Sequence, residues 1–455
     1  MLRRRSHIDM LNGPLFKNIV MYALPIIATS VLQLLFNTAD LLVVGWYCGS
    51  TSVGAVGSTN ALINLLVNLF MGLSIGVSVT VAQGIGANDR ERVSKTVHTA
   101  LPVAVICGIV VTVIGISFSP MFLKWMGNPA DTIDLAALYM RYYFCGAIGN
   151  LAYNFGAAIL RAAGDTIRPL MFLSISGALN VVLNLIFVCI FQMDVAGVAL
   201  ATAISQWISA VLVVLALLKR HDLCRIFPEK LTVDLTALKQ ILAIGVPSGI
   251  QGSLFSISNV IIQSAVNSFE TAAVVGSAAA SNIEGYVYTS QNAFAQTAMN
   301  FTGQNMGAKQ FKRVQKVWLN CLLAVTIVGV LLGGLVNLLG RPLLGIYITD
   351  SPEAIEYGLT KLLWITLPYF VCGLMECTSY TLRGLGKSLF SMIISVVGVC
   401  GFRLVWIFTV FQIPAFHTLD SLFASYIISW TATLVVGMCV LLPLLKKYQR
   451  QNKEI

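Results

Sequence analysis

Twelve long apolar runs partition this chain, and no other feature limits its fold as tightly. They fall at about 18–45, 53–82, 97–121, 136–159, 167–191, 195–218, 238–264, 272–300, 317–339, 357–381, 388–411 and 421–444. A helix needs roughly 20 apolar residues to cross the hydrocarbon of a bilayer, and every amide it carries must bond within the segment. The pattern predicts an all-α integral membrane protein with twelve transmembrane helices. Composition agrees, because only 11% of the 455 residues are charged, against roughly 25% in soluble domains.

The net charge of +10 does not point to nucleic acid, because the basic residues come in short clusters between apolar runs. With the N-terminus placed inside, 24 of the 29 Lys and Arg fall on cytoplasmic segments. They include Arg3–Arg5, Arg90–Lys95, Lys219–Lys239, Lys309–Lys316 and Lys446–Lys453. That asymmetry predicts two cytoplasmic termini. The other five are Lys124, Arg141, Arg341, Lys361 and Arg403. The basic start, MLRRRSHIDMLNGPLFKN, leads into a first run with no A-x-A cleavage pattern, so that run is expected to be retained. The ten cysteines contain no CxxC pair and read as small packing residues. The four histidines (7, 98, 221 and 417) are dispersed, which argues against a membrane-embedded enzyme.

The chain also repeats itself. At a shift of 222 residues LRAAGDT (160–166) lies over LRGLGKS (382–388), and Pro120 lies over Pro342. PADTID (129–134) similarly lies over SPEAIE (351–356). At 221, QGIGANDRERVSK (83–95) lies over QNMGAKQFKRVQK (304–316). Six helices separate equivalent points, so the copies enter the membrane from the same side. The expected organisation is two pseudo-symmetric six-helix lobes in parallel repeat: 1–218, a cytoplasmic linker 219–237, and 238–455 with a basic tail. Duplicated lobes suit an alternating-access carrier, with substrate sites between the repeats.

Ionisable groups inside spans are functional candidates. Asp40 in the first run is the foremost. Asn180 and Asn184 share one face of the fifth span, and Thr202 lies at comparable depth in the sixth. Desolvation opposes the charged carboxylate while amide and hydroxyl donors favour it, so such a group can exchange a proton. The same four side chains offer oxygen ligands suited to Na⁺. Glu284 and Glu376 are second-lobe candidates, with Gln33 and Asn37 beside Asp40. Arg403 is expected to form a structural ion pair. Pro25 is expected to kink the first helix. Phe36, Tyr153, Tyr286, Tyr288 and Met299 are candidate cavity-lining residues for flat cations.

GPLFKNIVMYALPIIATSVLQLLFNTADLLVVGWYCGSTSVGAVGS, the Gln83–Gly86–Ala87 loop with its Gln304–Gly307–Ala308 copy, and both LRxxG segments resemble the bacterial multidrug and toxic compound extrusion (MATE) transporters. In the opening, Pro25, Gln33, Asn37, Asp40, Val44, Gly45 and Ala55–Gly57 carry the likeness, which extends over essentially the whole chain. It implies export of cationic or amphipathic small molecules against inward H⁺ or Na⁺ flow, across a bacterial cell membrane. It also assigns the coupling site to Asp40, Asn180, Asn184 and Thr202. Some members have an acid at the position of Asn184. Sodium-driven NorM-type members have one shortly after the proline matching Pro247, where this chain reads SGIQGSLFSISN. Those departures favour proton coupling, as in the DinF-like branch. The expected partners are small-molecule substrates and the lipid bilayer, without nucleic acid or cofactor beyond the coupling ion, and with the chain a monomer. The alternatives are Na⁺ coupling and a lipid-linked oligosaccharide flippase of the same superfamily.

Overall fold

The computed structural model describes residues 7–126, 130–349 and 351–451. Arg3, Arg4, Arg5, Pro129 and Lys453 lie outside them. The first half holds α1 (Leu15–Tyr47), α2 (Ser50–Gly86), α3 (Arg90–Trp125), α4 (Ala130–Phe144), α5 (Ala147–Ala162), α6 (Ile167–Leu185) and α7 (Asp194–Leu218). The second half holds α8 (Leu235–Val266), α9 (Thr271–Gly307), α10 (Phe311–Leu338), α11 (Gly340–Gly345), α12 (Pro352–Thr366), α13 (Tyr369–Gly384), α14 (Ser388–Ser395), α15 (Phe402–Phe408) and α16 (Leu419–Gln451). No strand occurs among the described residues.

A helix or helix pair covers each expected apolar run. Among the described residues nine helices are long and apolar enough to span a membrane alone, and α12–α13 makes a tenth as a pair bent by 41°. Pro368, in the break between those two helices, has no N–H to continue the first ladder. The other two expected spans fail that test for local reasons. α4 and α5 are separated at Cys145–Gly146, where Gly146 packs against Ala203 and Gln206 of α7. α9 is 37 residues long but polar, burying Ser277, Ser290, Gln291, Thr297, Asn300, Thr302, Gln304 and Asn305.

The repeat reappears as backbone geometry. Gly164 and Gly386 both have positive φ, 88° and 78°. The next residue in each copy, Asp165 or Lys387, donates its N–H to a carbonyl five residues back, Leu160 or Leu382, at 2.9 Å. Both LRxxG segments are therefore helix ends closed by a glycine that carries no Cβ penalty in the left-handed region. Asn88 and Lys309 make the matching turn after α2 and α9, with φ of 53° and 56°.

The chain forms two compact units. One comprises Ala28–Ser253 with the segment ending at Ile8, and the other Asp9–Ile27 with Leu254–Ile455. The division runs inside α1 and α8, not along 219–237. Two packing motifs explain it. On α2, Gly72 and Gly76 meet Gly245, Gly249 and Ile241 of α8 backbone to backbone, a small-xxx-small contact that holds the first half of α8 in the first unit. In the second unit, Tyr22 of α1 packs edge-on against Phe301 of α9, ring centroids 5.4 Å apart. Asn305 and Arg313 there bond the Met10 and Gly13 carbonyls at 3.0 and 3.2 Å. The 219–237 segment is fastened to α3: Phe227 N–H donates to His98 Nε2 at 3.0 Å, and Asp234 N–H to Thr99 Oγ1 at 3.1 Å.

Candidate functional site

In the first unit α1 meets α6 through Phe36, whose ring fills the space where a side chain at Gly177 would stand. One turn further along each helix, that same face carries Asp40 on α1 and Asn180 on α6, with Asn184 a turn beyond Asn180. Asn184 Nδ2 donates to Asp40 Oδ1 at 2.5 Å, and Thr202 Oγ1 of α7 reaches Asp40 Oδ2 at 3.4 Å. Asn180 Nδ2 donates to Thr202 Oγ1 at 3.2 Å, while Asn184 Nδ2 also lies 3.4 Å from Asn180 Oδ1. The structure thus joins Asp40, Asn180, Asn184 and Thr202 in one hydrogen-bonded cluster. Immediately after Asn184 the helix widens into a π turn, Ile186–Ile190, a local distortion that recurs at functional sites.

The electrostatics of the cluster are simple. Asp40 makes no ion pair among the described residues. Its titratable neighbours are the phenols of Tyr139 and Tyr143 on α4. Asn184 is fully buried and its Oδ1 has no hydrogen-bond partner. An orphaned amide oxygen beside a carboxylate, an amide and a hydroxyl is an oxygen donor set that fits a small hard cation. No group of three or more His, Cys, Asp or Glu that could hold a metal occurs among the described residues. Gln33 and Asn37 are exposed on α1 and do not join the cluster. Pro25 lies within α1, two residues before the division between the units.

The second unit contains a cavity of about 340 Å³. Glu284 and Tyr288 of α9 line it, with Lys361 of α12, Glu376 of α13, Arg403 of α15 and Tyr426 of α16 among others. Lys361 Nζ lies 3.7 Å from Glu284 Oε2, donates to Ser277 O at 3.2 Å and also bonds Ser281 Oγ. Tyr369 Oη donates to Glu284 Oε1 at 3.2 Å. Lys361 is therefore a site residue that the sequence does not mark as one, because a single lysine there reads only as a topology signal. Arg403 departs from expectation: among the described residues it has no ion pair. It donates from Nε to Ser429 Oγ at 3.1 Å and stacks on the Tyr426 ring at 3.8 Å. Aromatic faces attract a guanidinium without supplying a formal charge, so Tyr426 and Trp430 take the place of the expected acid. Of the aromatic and methionine candidates, Tyr288 reaches the cavity. Phe36 packs on Gly177, Tyr153 is buried and bonds Pro169 O at 3.0 Å, Met299 is core, and Tyr286 is half-buried.

The MatE family profile matches this chain twice, over residues 25–186 and 247–409, each copy beginning at a proline. The chain belongs to the MatE family. Its members are membrane transporters and not enzymes. Relatives bear this out along nearly the full length. The chain is 25% identical to the probable multidrug resistance protein YpnP of Bacillus subtilis, covering 86% of this chain and 87% of that one. It is 20% identical to the multidrug export protein MepA of Staphylococcus aureus, over 97% and 95%. The fold matches an outward-facing multidrug resistance MATE transporter of the MOP superfamily at TM-score 0.89 and 22% identity, covering 98% and 99%.

Proposed function

We propose that this MatE protein is a proton-coupled antiporter that exports cationic or amphipathic small molecules across a bacterial plasma membrane, with both termini cytoplasmic. The observation that carries the reading is the environment of Asp40: a carboxylate held only by neutral donors, Asn184 at 2.5 Å and Thr202 at 3.4 Å. Protonation removes the charge without leaving an opposite charge stranded beside it. The Asn184 and Thr202 donors then lose their anionic acceptor, and α1 is released from α6 and α7. Pro25 provides the point at which α1 yields, since the residue four positions before a proline lacks its ladder bond. Substrate leaves outward as the proton arrives, and the proton leaves inward in the alternate state.

The energetics are adequate for a drug gradient. One charge crossing 100 mV is worth about 2.3 kcal/mol, and a tenfold concentration ratio costs about 1.4 kcal/mol. A single proton therefore sustains several tens-fold accumulation of a neutral substrate. In one-for-one exchange with a monovalent cation the voltage term cancels, and only the pH gradient drives transport.

Na⁺ coupling is the second reading, and the unpaired Asn184 Oδ1 favours it. Purified protein in liposomes, loaded with ethidium and given either a pH gradient or a Na⁺ gradient of equal size, separates the two. Transport that follows the pH gradient in Na⁺-free choline buffer is the expected result. Transport that requires Na⁺ at fixed pH overturns proton coupling.

A further inference from the structure

The cavity of the second unit contains two kinds of charged group. Lys361 and Glu284 satisfy one another: the ammonium is bonded to Ser277 O, Ser281 Oγ and Glu284, and the carboxylate also accepts from Tyr369. Glu376 and Arg403 do not. Glu376 is 5% exposed, lines the cavity, and makes no hydrogen bond or ion pair among the described residues. Arg383, two turns further along α13, is the cation whose charge bears on Glu376, but it makes no bond to it: its contacts go to Ser391 Oγ at 3.2 Å and the Tyr380 ring at 4.2 Å. Arg403 is also 5% exposed and lines the same cavity. Its Nη2 is buried without a partner, and Nε to Ser429 is its one hydrogen bond among the described residues. A guanidinium has five N–H donors, and the Tyr426 and Trp430 faces that meet this one accept none of the Nη2 hydrogens, so a buried donor is left unsatisfied at a cost.

We infer that this cavity is a binding site for a small aromatic zwitterion, whose carboxylate meets Arg403 and whose ammonium meets Glu376. A simple cation would answer Glu376 and leave Arg403 unmatched. A simple anion would do the reverse. A molecule carrying both charges matches both, and the Tyr288 ring, which lines the cavity and is 38% exposed, offers a face to an aromatic body. As a statement about cargo, this deepens the transport reading and rests on it. As a statement about binding, it does not.

The test is calorimetric titration of the full-length protein in nanodiscs at pH 7 with three matched probes: phenylalanine, phenethylamine and 3-phenylpropionate. Phenylalanine is expected to bind about tenfold or more tightly than either singly charged analogue, the value of one charge-assisted hydrogen bond. Glu376→Gln should reduce phenylalanine to the affinity of 3-phenylpropionate, and Arg403→Gln to that of phenethylamine. Arg403→Lys keeps the charge but loses the planar fork; an intermediate affinity is expected, and it guards against a loss caused by misfolding. Three equal affinities, no binding of any probe, or a wild-type ranking in Glu376→Gln and Arg403→Gln overturns the proposal. Ethidium efflux by the same preparation keeps the two readings apart. Efflux lost with the zwitterion preference intact counts against the transport reading alone. A missing preference with efflux intact counts against this site alone.

Discussion

Asp40 in the first unit faces an asparagine and a threonine, whereas Glu284 in the second faces a lysine. Both acids sit at helix junctions of the same duplicated architecture, yet they are built for different work. A carboxylate among neutral donors can take or give a proton at little electrostatic penalty to its neighbours. A carboxylate paired with a buried ammonium cannot, because discharging one partner strands the other. Duplication has thus left a carboxylate among neutral donors in one unit and a cavity with an acid–base pair in the other.

The largest expected effect is on the pair that should not tolerate being broken. Lys361→Met leaves Glu284 without its cation, and a buried pair broken on one side costs about 3–5 kcal/mol. Thermal unfolding in detergent should show a severe loss, recovered in large part by adding Glu284→Gln. If the single and double variants melt together, the pair is not the structural lock described. Next is Gly177→Ala, which sets a methyl into the Phe36 ring. Overpacking of this kind costs about 1–3 kcal/mol, and displacing Phe36 should pull Asp40 from Asn184, lowering both melting temperature and efflux. Unaltered efflux would show that the α1–α6 contact does not hold the site. Thr202→Val removes one donor to Asp40 and one acceptor for Asn180, worth about 1 kcal/mol. Its efflux rate should fall while the unfolding midpoint moves only slightly, in contrast to Lys361→Met.

The smallest effect lies outside the membrane, where Asp222 and Arg220 close the turn after α7. Burial pushes the Asp222 carboxyl up, but its hydrogen bond with Arg220, the Arg220 charge and the Cys224 N–H outweigh burial and hold it below its ordinary value of 3.8. A carboxyl depressed by folding contributes stability that is complete above its unfolded value and is lost as pH falls through the folded one. The wild-type melting curve should therefore weaken below pH 3.8 more steeply than that of Asp222→Asn. Parallel acid profiles would remove the Arg220 contact from the stability of this turn.

Much of the first site was legible from spacing. Asn180 and Asn184 are four residues apart on a helix, and counting residues from each span end sets Asp40 and Thr202 at the same depth. The family resemblance named the same four. The second site was less legible, because Lys361 is one basic residue among 29, and topology statistics say nothing about side-chain partners. Arg403 did leave a signal: Tyr426 and Trp430 are four apart on the last helix, an aromatic stripe able to receive a guanidinium. The division inside α1 and α8 was hidden for another reason. The glycine spacing is visible in MGLSIG and IGVPSG, but a close-packing motif does not announce which helix it meets.

The central claim is that Asp40 is the carboxyl through which the ion gradient drives export. Its most direct test is ethidium transport in liposomes driven by an imposed pH gradient, wild type beside Asp40→Asn, with folding of both checked by gel filtration. The account predicts that the variant falls to the protein-free rate while remaining monodisperse. Transport by Asp40→Asn at the wild-type rate, with the same dependence on the pH gradient, would contradict it.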